Sequence, residues 1–292
     1  AELRSQYGAA KAAPKPAAAP QPPMSDIDKT IADVKAFEFV PEYEATKARM
    51  SVEGKALDEA ARAFKATGRR DREKYEIAIA AQTAYNQTVK QFRALEVAER
   101  DRMVRILALP NEMRGNPADV VIPGYNASYR KSVTEASSLV SLLVHRDIMP
   151  TGIKVNGVRG NRAYYQNSIR AIHINKDTSV SVIVHEIVHD IEYSHPDVSR
   201  KTKAFLAKRA NGEQPKQLRS LTGVKAFRRD EIAYEDEWKK RGGSHYMGKV
   251  YERASTELLT MGIERMLADA KSFAEKDPEY FRFMLEILRR VA

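Results

Sequence analysis

Between Val180 and Tyr193 the apolar residues fall at 180, 183, 184, 187, 188 and 191, the spacing of a helix with one buried face. The β-branched run from 180 to 184 also suits a strand. Upstream, Ser168 to Asn175 (SIRAIHIN) alternates with a period of two and predicts a strand leading into that segment. Gly152 to Val158 and Arg162 to Tyr165 predict short strands around Asn156-Gly157, a hairpin turn signal. Ser128 to His145 predicts a helix, and Lys176-Asp177-Thr178 a turn in which Asp177 or Thr178 caps the next helix.

From Ser25 to about Leu109 the pattern is helical throughout. Ile27, Ile31, Val34 and Phe37 recur first, then Tyr75, Ile77, Ile79, Tyr85, Val89, Phe92, Leu95 and Val97, with Pro41 and Gly68 as punctuation. This predicts an antiparallel helical hairpin or small bundle that packs on the rest of the chain or on an assembly partner. A coiled coil is the alternative, weakened by the lack of sustained heptads. Residues 9–23, AAKAAPKPAAAPQPP, predict an extended linker, and AELRSQYG before it looks like the tail of something removed, or an added tag if Met24 is the native start. The expected organisation is a linker or tail over 1–24, a helical region over 25–110 and a mixed part over 111–292. The fold class is α+β, mostly helical with a small sheet.

Composition narrows the chemistry. The 292 residues include no cysteine, which excludes disulfides and thiolate ligands, so a metal here needs imidazole and carboxylate donors. No apolar run spans a bilayer and no signal peptide is visible, which predicts a protein acting in a cytosol or a particle. The net charge of +10 makes loose contact with DNA or an acidic protein possible. The basic residues are scattered, however, and no nucleic-acid signature accompanies them.

The helical segment contains His185-Glu186-Ile187-Val188-His189, an HExxH pattern. On a helix, positions i and i+4 share a face, so both imidazoles reach one metal ion and Glu186 sits where it can polarise a water. A strand would separate them by about 13 Å, too far for two ligands of one zinc. Left without a metal or partner, three polar residues on one turn of an apolar helix would be buried at a cost. A catalytic zinc needs a third protein ligand. Glu257 is the leading candidate, followed by an apolar run through Ile263, Met266 and Leu267. Glu264 is an alternative, and Glu252 is less well placed.

These residues, with Tyr251, the Thr256-Glu257-Leu258-Leu259 stretch and the closing Asp277-Pro278-Glu279-Tyr280-Phe281, resemble a gluzincin-type zinc metallopeptidase domain. The resemblance covers roughly residues 115 to 290. It is strongest to domains of bacteriophage head-morphogenesis (minor head) proteins, and more distant to anthrax lethal-factor-like peptidases. It implies a zincin-like fold over 111–292, Zn²⁺ held by His185, His189 and Glu257, and Glu186 as general base. It also implies a tyrosine that assists the transition state, Tyr251 first and Tyr246 second. The interval between His189 and Glu257 is longer than the lethal-factor pattern. The implied partners are a protein or peptide substrate and phage structural proteins, and the implied place is the virion or host cytoplasm. The alternatives are a virion assembly protein whose zinc is structural or idle, and a host-directed toxin.

Other polar positions carry weaker expectations. The strand over 168–175 is expected to edge the cleft and pair with substrate backbone, with His173 a cleft-edge or structural residue. Asp190 is expected either to orient an imidazole or to be a surface acid. His145 and His195 read as structural, His245-Tyr246 as a loop over the site or a packing element, and residues 197–240, with Trp238, as an inserted helical segment that walls the cleft.

Overall fold

A three-stranded sheet and the helix after it form the centre of the molecule. The computed structural model describes residues 25–121, 127–160, 162–251 and 255–291. The expected linker over 9–23 and Glu252 lie outside these residues. The fold is α+β and mostly helical with a small sheet. Strands β1 (Lys154–Gly157), β2 (Tyr164–Gln166) and β3 (Ala171–Ile174) lie in the order β1-β3-β2, with β1 parallel and β2 antiparallel to β3.

That order corrects two expectations. Asn156-Gly157 does not turn a hairpin, because β1 continues along β3 as far as Val158, whose N–H donates to the Ile174 carbonyl at 2.9 Å. Gly157 is needed there for close approach: a Cβ would lie 2.6 Å from the Tyr129 hydroxyl. The strand expected over 168–175 is shorter and central. Asn167–Ile169 form a 3-10 turn, and Arg170 sits at φ 48° before the chain extends. All four residues of β3 are buried, so its backbone groups require a partner on both sides. The edge beside the cleft is therefore β2.

The segment after β3 is a helix over its whole length, α5 (Val180–Ser194). Its cap is Ser179, whose hydroxyl accepts from the Val182 N–H; Thr178 instead accepts from the Asn175 N–H at 3.0 Å and closes the preceding turn. Ile183, Val184, Ile187, Val188 and Ile191 join the main hydrophobic cluster, packed between α4 (Ala127–Leu143) and α8 (Leu258–Lys276), with α9 (Pro278–Leu288) beyond. The same cluster takes in Ile27, Val34, Phe37, Met103, Val104 and Leu107, so the core is continuous across residue 110.

Those last residues belong to α1 (Asp26–Lys35), the loop after it, and the base of α3 (Arg72–Leu107). Helix α2 (Pro41–Ala66) starts at its proline and turns into α3 through Gly68 and Arg69, both with positive φ. At 36 residues α3 is about 54 Å long, and away from its base it packs chiefly on α2. One partner helix covers one face only. Tyr75, Ile77, Ile79 and Val97, periodic in the sequence, are therefore exposed.

Residues 197–240 close the core and do not wall the cleft. Within them α6 (Pro196–Ala210) is followed by β4 (Lys216–Gln217), α7 (Leu218–Thr222) and β5 (Ile232–Ala233). Trp238 is fully buried against Tyr280, and the Arg209 guanidinium stacks on it while pairing with Asp236 at 2.7 Å and Asp277 at 3.0 Å. Gly248 follows in the 3-10 turn His245–Gly248. A Cβ there would lie 2.2 Å from the Tyr234 carbonyl oxygen and 2.7 Å from the Trp238 indole nitrogen. Gly248→Ala is expected to destabilise the fold by about 1–3 kcal/mol, read as a lower melting temperature.

Candidate metal centre

Helix α5 places His185 and His189 one turn apart on the face that meets the start of α8. Glu257, immediately before α8, is fully buried and turned towards both rings. Its Oε2 lies 3.3 Å from His185 Nε2 and 3.7 Å from His189 Nε2. Ligand atoms on a tetrahedral zinc with bonds of about 2.0–2.1 Å stand about 3.3 Å apart. The three ligand atoms lie within 4.8 Å of one another, the one such group of three among the described residues. Two imidazoles and a carboxylate, with no thiolate, match the donor set of a catalytic zinc and leave one position free. The residues present fit the ion.

The neighbours hold these three in place. Tyr251 donates its hydroxyl to Glu257 Oε1, and Thr260 Oγ1 donates to Oε2 at 3.0 Å. Glu264 is not a ligand in place of Glu257. Its Oε1 lies 3.5 Å from His185 Nδ1, on the far side of that ring, at a range where charge acts without a formed hydrogen bond. Burial disfavours a charged His185, but Glu257 and then Glu264 overcome it and lift the ring to about 10. These two carboxylates favour a proton on that ring when no cation is bound, and a metal ion would have to displace it. Zinc uptake at pH 7 is expected to release about one proton per ion, with apparent affinity rising towards pH 10; calorimetry in buffers of different ionisation heat measures it.

The cleft over this centre has a volume of about 160 Å³ and is lined by Tyr165, Glu186, Tyr193, Tyr246, Tyr251 and Arg162 besides the three candidate ligands. No residue of 197–240 lines it; Phe227 reaches it indirectly by stacking on Tyr246. Glu186 is buried on the cleft side of α5, and burial raises its carboxyl to about 7 against the pull of His185. The backbone of Tyr165, on the β2 edge, lies close enough to offset a little of that rise. Burial, and then the Glu257 charge, push the phenols of Tyr246 and Tyr251 above their ordinary range, so both stay protonated donors. The Lys249 ammonium sits over both rings, at 4.9 Å and 4.6 Å, and pairs with Glu231 at 2.8 Å.

No family model, curated protein or solved structure matches the chain. The geometry of the site therefore carries the functional argument.

All six residues singled out in the sequence, His185, Glu186, His189, Tyr246, Tyr251 and Glu257, meet in this cleft. Asp190 does neither of the things expected of it. It is almost fully buried and turned away from the imidazoles, accepting from Tyr165 Oη at 2.5 Å and pairing with Arg170 at 2.7 Å. Position i+1 from His189 points about 100° around the helix from that ligand, so Asp190 ties α5 to the β2–β3 turn. His173 stacks under Tyr164 with ring centroids 4.3 Å apart, a structural place in the sheet. Sequence reasoning passed over Thr260 and Lys249, whose partners are brought to them by the fold.

Proposed function

We propose that the chain is a zinc-dependent metallopeptidase of gluzincin type, with a zincin-like arrangement over 111–292, in a phage-associated protein of the virion or its head morphogenesis. One observation carries this reading: two imidazole Nε2 atoms and a fully buried carboxylate converge at the floor of a cleft, with a second carboxylate, Glu186, beside them. The order of parts supports it as well. Strand β3 runs into the histidine helix, antiparallel β2 borders the cleft, and a second helix brings the glutamate.

His185, His189 and Glu257 would hold a zinc ion, which would supply Lewis acidity at the floor of the cleft. The chain's own residues do the rest. An extended peptide lies along the open edge of β2, bonding its backbone there. Glu186, lifted by burial towards neutral pH, takes the proton of the attacking water and returns it to the leaving amine. Tyr246 receives a hydrogen bond from Lys249 at 3.4 Å, which sharpens its own hydroxyl as a donor to the developing oxyanion. Tyr251, whose hydroxyl rests on Glu257 Oε1, shares that role by turning its single O–H from that oxygen to the oxyanion.

The direct test is elemental analysis followed by incubation with a diverse peptide library. About one zinc per chain and cleavage that stops with chelator and returns with zinc are the expected results. A chain that takes up no zinc after reconstitution would overturn the reading.

A second reading, an assembly protein with a stabilising zinc, is favoured by the α2–α3 hairpin with its exposed Val52, Tyr75, Ile77 and Ile79. Under it, zinc removal lowers the melting temperature or blocks particle assembly while no peptide bond is cut. The hairpin also suits contacts with phage structural proteins, and the +10 charge suits non-specific contact with DNA. No helix among the described residues is long and apolar enough to cross a membrane.

A further inference from the structure

On the buried side of the histidine helix is a carboxylate that the reaction outlined above does not use. Glu192 stands three residues after His189 on α5, 1% exposed, and its two oxygens are fully engaged. Oε2 accepts the Thr256 backbone N–H at 3.0 Å, and Oε1 accepts the Thr256 hydroxyl at 2.8 Å and the Thr202 hydroxyl from α6. Ser255 Oγ lies 3.5 Å from Oε2, 3.2 Å from the Thr256 carbonyl and 3.4 Å from His189 Nδ1, the ring nitrogen away from the metal position.

The arrangement joins two pieces of chain that sequence keeps far apart. His185 and His189 come from α5, whereas Glu257 follows directly after Ser255-Thr256, more than sixty residues later. Thr256 also accepts the Leu258 N–H at 3.2 Å, so the residue that Glu192 grips closes the turn immediately before α8, with Glu257 between the two. A carboxylate buried this completely is costly unless every lone pair is used. Here they are used on Thr202 of α6 and, twice, on Thr256 in the turn carrying the candidate third ligand.

We propose that Glu192 is the positioning residue of the metal centre: it pins the Ser255-Thr256-Glu257 turn to the histidine helix and, through Ser255, fixes the tautomer and tilt of the His189 ring. Ligand histidines are commonly held by a partner on their far nitrogen, and removing such a partner costs about 10–100-fold in metal affinity. The inference rests on the metal-site reading above, and its test separates the two.

Zinc affinity is measured by competition with a chromophoric chelator for wild type, Glu192→Gln, Ser255→Ala and the double variant, alongside the visible spectrum of the Co²⁺-loaded forms and the melting temperature of stripped protein. Glutamine keeps the shape of Glu192 but offers a donor where Thr256 needs an acceptor. We expect affinity to fall about 10–100-fold in Glu192→Gln and about 10-fold in Ser255→Ala. Ser255→Ala should leave the stripped protein's melting temperature unchanged, which a merely structural role would not combine with weaker binding. The double variant should lose less than the product of the two, and both cobalt spectra should shift. If Glu192→Gln fails to fold, Ser255→Ala and Thr256→Val carry the test. Wild type that binds zinc, with variants binding it equally well, overturns the role of Glu192 alone. Wild type that binds none overturns the metal reading and this inference with it.

Discussion

Glu186→Gln is expected to bind zinc as wild type does and to lose between about 10² and 10⁴ in turnover, roughly 3–5 kcal/mol of transition-state stabilisation. Glu186 is not among the three groups that converge on the metal position, and glutamine fills the same space, so neither metal content nor fold should change. What goes is, among the described residues of the cleft outside the three candidate ligands, the group able to accept a water proton near neutral pH. His189 is held to about 4 by burial and would face the ion, while Tyr246 and Tyr251 stay protonated. KM should be nearly unchanged, since the loss falls on the transition state. Burial, joined by the Glu257 and Glu264 charges, lifts Glu186 towards 7, which makes its charged form a cost to the fold. The stripped variant should therefore melt no lower than wild type at pH 8. Equal turnover in the variant sinks the peptidase mechanism; lost zinc would show that Glu186 holds the ion.

The residues of the candidate metal centre could be picked out in the sequence because their chemistry is local where it matters most. Two histidines four apart on an apolar helix declare their shared face without any tertiary information. Glu257 was legible because an apolar run follows it. The supports were not. Glu192 differs from any helical glutamate only through Thr202, Ser255 and Thr256, and Asp190 looked the better candidate by lying next to His189 in sequence, where helix geometry turns it away. The sheet misled for a similar reason. Asn156-Gly157 has the composition of a hairpin turn, yet that glycine answers the approach of Tyr129, and which strand is central depends on pairings that alternation cannot rank. The hairpin α2–α3 was legible in its breaks, Pro41 and Gly68, while its burial was not, because periodicity marks an apolar face without naming what covers it.

Glu257→Ala is expected to abolish measurable zinc uptake and, in metal-free protein, to lower stability near pH 5–6 by on the order of 3 kcal/mol, the general cost of breaking a buried ion pair, with a pH dependence that identifies the cause. Glu257 is depressed to about 2 in the fold: burial alone would raise it, but His185, then His189 and Tyr251, hold the charge. That stabilisation is present above the unfolded carboxyl value of 4.5 and is lost as pH falls towards 2. His185 is raised from 6.5 to about 10, largely by the same partner against its own burial. Its share is present below 6.5 and is lost as pH rises through 10. Both shifts record one buried pair and count once, at about 1.4 kcal/mol per pKa unit. The deficit of the variant should thus be widest between pH 4.5 and 6.5 and shrink on both sides. Adding zinc should raise the wild-type melting temperature by mass action and leave the variant where it was. A deficit that is flat with pH would mean that Glu257 acts by packing alone, and a zinc-dependent rise in the variant would remove it from the ligand set.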